Sequence, residues 1–179
     1  MNLLVIRHAI AESREAFAQT SQDDSLRPLT PKGRERMERG LMGINALVPE
    51  LDVLATSPHV RAVQTAEMVA SAYPGVSPVK VDALAPGGER RAVLSWIQMQ
   101  KDDATVATVG HEPDLAGTVS WLLSSGETQF MGFKKGGACL LTWPTHITAG
   151  NAQLVWLLTA GQLRKIRKAR SKKVRGSNS

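Results

Sequence analysis

The sequence predicts a single-domain α/β protein, a three-layer α/β/α sandwich with a mostly parallel central sheet. Short apolar runs alternate along the chain with longer helix-like segments, an order that favours parallel strands joined by crossover helices. Residues 2–7 and 104–110 are rich in β-forming residues and lack period-two alternation, which indicates strands covered on both faces. The chain of 179 residues is long enough for one sizeable core.

The individual elements follow from turn and cap signals. The predicted strands are residues 2–7, 51–57, 104–110, 137–143 and 152–158. Turn residues 144–151 separate the last two, so we expect a hairpin or a close pair there. Helices are predicted after Thr30-Pro31 (ending near residue 47), after Ser57-Pro58, after Glu112-Pro113, and over residues 89–100. The first two of these begin with an N-capping hydroxyl and then the proline that favours a first helical position.

Composition limits the class of protein. Hydrophobic residues make up 42% and charged residues 21%, and no apolar run approaches the roughly 18 residues of a membrane span. The apolar run before Arg7 is too short for a signal peptide. The single cysteine, Cys139, excludes an intrachain disulfide framework and is expected in the core. We therefore expect a cytoplasmic protein that does not bind membranes.

The net charge of +6 comes from the C-terminus. Residues 163–179 hold eight of the 22 lysines and arginines and no acid, so residues 1–162 carry 14 basic against 16 acidic side chains. We expect a folded domain over residues 1–162, followed by a basic tail that ends a helix and is then disordered. A basic tail can bind nucleic acid, but this one lacks the aromatic residues that would stack on bases.

Three predicted strands end in polar groups. The first ends at Arg7-His8, the second at Ser57 with Arg61 shortly after it, and the strand at 104–110 at His111. Because the carboxyl ends of parallel strands lie at one edge of a sheet, we expect these groups to meet there.

Two arginines and two histidines beside helix N-termini are typical of an anion site. Arginine binds phosphate oxygens in pairs, and a helix N-terminus adds free N–H groups. A divalent cation would lie beside two guanidinium groups with few carboxylates to offset them, so we expect neither a metal nor a cofactor. A phosphate or sulfate ion is the ligand this pattern favours.

Three motifs carry a resemblance to a known family. "RHA" (residues 7–9), "SPHVRAVQTA" (57–66) and "VGHEPDL" (109–115) resemble the histidine phosphatase superfamily, whose first motif normally reads Arg-His-Gly, so Ala9 is a departure. "SLRPLTPKG" (25–33) resembles the small phosphohistidine phosphatases related to the bacterial SixA protein. The resemblance extends over about residues 1–165 and leaves the basic tail outside.

The resemblance implies roles for individual residues. His8 would be the nucleophile and form a phosphohistidine intermediate, with one ring nitrogen free and the other held by a backbone carbonyl. Arg7, Arg61 and His111 would bind the phosphoryl oxygens and stabilise the transition state. The further substrate-binding residues would be Arg27, Glu112 and Ser57. The chemistry would need no metal.

The sequence leaves several substrate classes possible. Imidazole leaves with little help from an acid, so the lack of a recognisable mutase-type acid favours phosphohistidine on a protein such as a phosphorelay domain. An alternative is a small phosphate ester, with Glu112 as general acid; Glu112 is also explained as a charge at a helix start. A second alternative is a non-catalytic module that binds phosphoproteins. His59 is expected on a helix surface, with a position at the rim of the pocket as the alternative. Lys134 to Gly137 either approach a phosphate or form only a strand-entry turn.

Overall fold

Six strands form one sheet in the computed structural model, which describes residues 1–166. They are β1 (Asn2–Arg7), β2 (Val53–Thr56), β3 (Pro78–Lys80), β4 (Thr105–Gly110), β5 (Ala138–Thr142) and β6 (Gln153–Leu158). Their order across the sheet is β3-β2-β4-β1-β5-β6. Strands β1 to β4 are mutually parallel, whereas β5 is antiparallel to β1 and to β6. The predicted mostly parallel sheet and its closing hairpin are confirmed.

Helices connect the parallel strands. Within residues 1–166 they are α1 (Arg14–Ala18), α2 (Pro31–Leu47), α3 (Val60–Ser71), α4 (Arg90–Gln98) and α5 (Asp114–Ser124). Residues 160–166 are also helical, and single 3-10 turns cover Asp24–Leu26 and Asp82–Leu84. The sequence prediction lacks α1, β3 and both 3-10 turns, because such short elements show no measurable period. No helix in residues 1–166 has the length and apolar character that crossing a membrane requires.

The sheet is buried on both faces. Leu4 and Ile6 of β1 face a core built with α2, α3 and the 160–166 segment. Leu3 and Val5, the alternate side chains of the same strand, face a second core built with α4 and α5. Side chains that alternate between two apolar cores produce the continuous apolar run seen in the sequence. The three-layer sandwich is therefore as predicted.

The predicted starts of α2 and α5 are confirmed, whereas the predicted start of α3 is wrong. Thr30 caps α2, and its hydroxyl accepts from the Gly33 amide at 3.0 Å. The predicted cap at Ser57 is wrong: α3 begins at Val60, with His59 at the N-cap position. The helix predicted after Glu112-Pro113 begins at Asp114, with Pro113 at its N-cap position. Ser57 and Glu112 both lie outside the helices, so their side chains are free for other contacts.

The folded body extends past the predicted boundary at residue 162. Leu163 is fully buried in the core beneath α2. A side chain built at Gly43 of α2 would lie 2.2 Å from the Leu163 carbonyl oxygen, so only glycine permits this approach. The expected disordered tail falls mostly on residues 167–179, which lie outside the described residues.

Gly43 provides a test of this packing. We expect Gly43→Ala to lower the free energy of unfolding by about 1–3 kcal/mol, because the new methyl group must displace backbone. Gly40→Ala on the same helix is the matched control, since nothing lies within 4 Å of its added carbon. That change should be neutral or stabilise by up to about 1 kcal/mol through helix propensity. Urea unfolding of the two variants measures the difference; equal stabilities would contradict the contact.

Candidate active site

Three strand ends meet at one edge of the sheet. Arg7 of β1 is in register with Gly110 of β4, so His8 and His111 follow side by side, and their ring centroids are 5.0 Å apart. Arg61 enters from the first turn of α3, after β2. A cavity of about 420 Å³ opens here. Its lining includes six of the seven predicted site residues: Arg7, His8, Arg27, Arg61, His111 and Glu112.

His8 is held as a neutral imidazole. It is 5% exposed, and its Nδ1–H donates to the Ala9 carbonyl oxygen at 2.7 Å. Burial lowers the pKa of His8 to about 3, and the nearby Arg61 and Arg7 also lower it. Because Nδ1 carries the ring proton, Nε2 keeps its lone pair. The ring is therefore neutral at neutral pH, with a free lone pair on Nε2.

Ser57 acts on His111 and does not line the cavity. Ser57 is fully buried, and its hydroxyl lies 2.8 Å from Nε2 of His111. The same hydroxyl accepts from the His59 amide at 3.3 Å, which favours donation of its own proton to Nε2. His111 then carries its proton on Nδ1. Burial first, then His8 and Arg61, lower the pKa of His111 to about 2, so this ring is also neutral. The expectation that Ser57 contacts substrate is corrected accordingly.

Asp24 is a site residue that the sequence analysis missed. Its carboxylate accepts from Arg27 Nε at 2.8 Å and lies 3.2 Å from Arg61 Nη2. Its backbone carbonyl also accepts from Arg61 Nη1 at 2.8 Å. The hydrogen bond from Arg27 is the main reason that the pKa of Asp24 is lowered. One carboxylate thus holds two guanidinium groups that would otherwise repel each other, and the exposed Arg14 lies 3.6 Å from it as a third partner. Its spacing of three residues before Arg27 was the available signal.

Several buried nitrogen atoms at the site have no hydrogen-bond partner in the protein. Within residues 1–166 the unpartnered buried side-chain atoms are Arg7 Nε, Arg61 Nε, His59 Nδ1 and His111 Nδ1. A buried donor left unsatisfied costs roughly 1–3 kcal/mol. Arg7, Arg61 and His111, which carry three of these atoms, line the cavity. Clustered donors of this kind are suited to an oxyanion.

His59 packs behind the site. Its ring meets that of His111 edge-on, with centroids 5.2 Å apart, and it is half-buried. The predicted position on a helix surface is wrong, since His59 precedes the first turn of α3 and turns inward.

Glu112 and Lys135 complete the wall of the cavity. Glu112 Oε1 accepts from the Phe133 amide at 2.8 Å, and burial raises the pKa of the Glu112 carboxyl. The Phe133 carbonyl accepts from Arg7 Nη1. Burial lowers the pKa of Lys135, and so do the neighbouring Arg7 and Arg27. The cavity therefore has a carboxyl group with a raised pKa on one side and a lysine with a lowered pKa on another.

Comparisons with known proteins show which sequences and folds this chain resembles. The family model for the histidine phosphatase superfamily (branch 1) matches residues 3–85. An uncharacterized protein of Picosynechococcus is 35% identical over 164 residues, which cover 89% of this chain and 96% of that protein. The protein histidine phosphatase SixA, solved with tungstate, superposes with a TM-score of 0.75 at 26% identity, covering 91% of this chain and 99% of its own.

A more distant structure shares the fold. The mycobacterial glucosyl-3-phosphoglycerate phosphatase, solved with inorganic phosphate, has a TM-score of 0.67 at 15% identity, covering 89% of this chain and 98% of its own. The chain belongs to the histidine phosphatase superfamily. That membership, together with the SixA likeness, supports phosphatase activity.

Asp24→Asn tests the role of the carboxylate in positioning the arginines. We expect kcat for an aryl phosphate to fall about tenfold, because Arg27 and Arg61 lose their shared anchor. KM should stay the same or decrease, because the site gains net positive charge. Asp23→Asn is the matched control: Asp23 caps the same turn at Ser25. A parallel rise in KM, or equal effects of the two variants, would contradict a positioning role.

Proposed function

We propose that this protein hydrolyses phosphohistidine on a partner protein, such as a phosphorelay domain in the cytoplasm, through a covalent intermediate on His8. The observation that carries the proposal is the neutral His8 ring, with Nε2 unprotonated, beside arginines whose buried Nε atoms lack protein partners. A pure binding site would need the arginines but no nucleophile.

The first chemical step transfers the phosphoryl group. The lone pair on His8 Nε2 forms a bond to phosphorus as the N–P bond of the substrate breaks, and the electron pair returns to the substrate imidazole. The substrate ring reacts with a proton already on its other nitrogen, so it leaves as a neutral imidazole and takes no proton from the protein. Arg7, Arg61 and His111 Nδ1–H stabilise the charge on the three equatorial oxygens.

The second step restores the enzyme. A water oxygen attacks phosphorus, the N–P bond to His8 breaks, and the electron pair returns to Nε2. Inorganic phosphate leaves with the oxygen of that water. Throughout both steps His8 Nδ1 keeps its proton and donates it in a hydrogen bond to the Ala9 carbonyl oxygen. The ring therefore returns to the tautomer in which it began.

The leaving group supports phosphohistidine as substrate. Imidazole has a conjugate acid with a pKa of roughly 6.5, so its departure needs little general-acid help. The SixA structure with which this chain superposes is itself named as a protein histidine phosphatase.

A second candidate is a small phosphate ester, which a specific observation favours. Glu112 lines the cavity, and burial raises the pKa of its carboxyl, as a general acid for an alcohol leaving group requires. The mycobacterial neighbour, which shares the fold, is named as a glucosyl-3-phosphoglycerate phosphatase.

A substrate panel tests the leading proposal. Purified protein should release phosphate from a phosphohistidine protein with a higher kcat/KM than from alkyl phosphates. Rapid quenching in base should trap radiolabel on the wild-type chain, and His8→Asn should abolish that label. His146→Asn, in the exposed turn before β6, is the control and should label normally. Phosphate binding without labelling or release would instead indicate a non-catalytic module.

Glu112→Gln separates the two substrate classes. If Glu112 is the general acid for esters, kcat for an alkyl phosphate should fall about a hundredfold or more, while kcat for phosphohistidine changes little. Glu12→Gln, which changes another glutamate on the cavity wall, should leave both rates near wild type. Equal losses on both substrates would remove the general-acid assignment.

A further inference from the structure

A second cavity of about 170 Å³ adjoins the first. It lies between α2, the turn Lys134–Gly137 and the start of the 160–166 segment. The two cavities share one lining residue, Lys135. The two cavities therefore lie next to each other, on either side of Lys135.

The turn Lys134–Gly137, between the two cavities, is hydrogen-bonded to the backbone of Arg7 and His8. Gly137 N–H donates to the Lys134 carbonyl at 2.8 Å, and Gly136 has a φ of +70°, a conformation that favours glycine. Gly136 N–H donates to the backbone carbonyls of Arg7 and His8, at 3.2 and 3.1 Å. These bonds fix the backbone of Lys134 and Lys135 relative to the strand that carries His8.

The lining of the second cavity is cationic. It includes Arg36, Lys134, Lys135 and Arg164, and no acidic residue. Within residues 1–166, none of these four side chains takes part in an ion pair or donates a side-chain hydrogen bond.

Two of these cationic side chains differ from ordinary solvent-exposed surface residues in their burial and position. Arg36 and Arg164 are half-buried and come from separate segments, α2 and residues 160–166. The acid that faces Lys135, Glu15, lies on the side of the first cavity. Like charges gathered without a counterion repel one another, and an anion in the cavity would relieve that repulsion.

We propose that this second cavity binds a second anionic group, a carboxylate or phosphate, of the same substrate whose phosphoryl group meets His8. The inference rests on the proposed function for the identity of the first group. In a protein substrate the second group is an aspartate or glutamate near the phosphohistidine. In a small substrate it is a carboxylate or another phosphate on the same molecule.

The test compares matched substrates with and without the second anion. One arm uses a neutral phosphohistidine peptide and versions with a single glutamate at successive positions. The other arm uses glycerol phosphate and phosphoglycerate, which differ by a carboxylate. The variants are Arg36→Gln and Arg164→Gln, and Arg34→Gln is the control because it removes an exposed charge from α2 outside the cavity. Circular dichroism confirms folding of each variant.

In at least one arm the wild type should prefer the substrate with the extra anion. Arg36→Gln and Arg164→Gln should each reduce that preference in kcat/KM about three- to tenfold. Their kcat/KM for the matched substrate that lacks the extra anion should stay at the wild-type value. Arg34→Gln should keep the full wild-type preference. A response confined to the peptides identifies a protein substrate, and one confined to phosphoglycerate identifies a small molecule. No preference in either arm, or a preference that both variants retain, overturns the proposal.

A binding measurement separates this inference from the proposed function. Isothermal titration with orthophosphate and with tripolyphosphate needs no turnover. If nothing in the panel is hydrolysed, but both variants weaken tripolyphosphate and not orthophosphate, the second site stands and the phosphatase proposal fails. If hydrolysis proceeds while the variants match wild type in both measurements, the second site fails alone.

Discussion

The backbone pairing at the carboxyl ends of β1, β4 and β2 is the constraint on which the site depends. The ladder continues one residue past β1, where His8 N–H donates to the Gly110 carbonyl at 3.1 Å. On the other side of β4, Ser57 N–H donates to the Val109 carbonyl at 2.9 Å. The sheet itself therefore sets the backbone positions of His8 and Ser57. Because these positions do not depend on mobile loops, the His8 and His111 rings stay at a fixed separation.

Crowded positive charge explains much of the surrounding structure. Burial, and in addition the positive charge of Arg61 and Arg7, lowers the pKa of His8 and keeps its ring neutral. The same arginines need counter-groups, and backbone carbonyls supply most of them: Phe133 for Arg7, Glu12 for Arg27 and Asp24 for Arg61. Carbonyl groups position a guanidinium without cancelling its charge, so the cavity stays attractive to an anion.

The sequence was informative where the signal was local. Uninterrupted apolar runs predicted five strands, proline-marked starts predicted three of the four helices, and the polar residues at the strand ends indicated the candidate site. The errors have physical causes. Ser57 matched the pattern of a helix cap, but its hydroxyl binds a histidine 54 residues away, a contact that no local pattern encodes. Asp24 and the Phe133 backbone likewise act across long chain separations.

Phe133 links two chemical requirements of the site. Its N–H holds Glu112 and its carbonyl holds Arg7, so one backbone residue positions both a carboxyl group and a guanidinium of the cavity wall. The segment from α5 to β5 cannot shift one of these side chains without disturbing the other. Under the proposed function, changes of sequence in this segment would alter leaving-group preference and oxyanion binding together, and divergence toward a new substrate along this route would proceed through variants impaired in both.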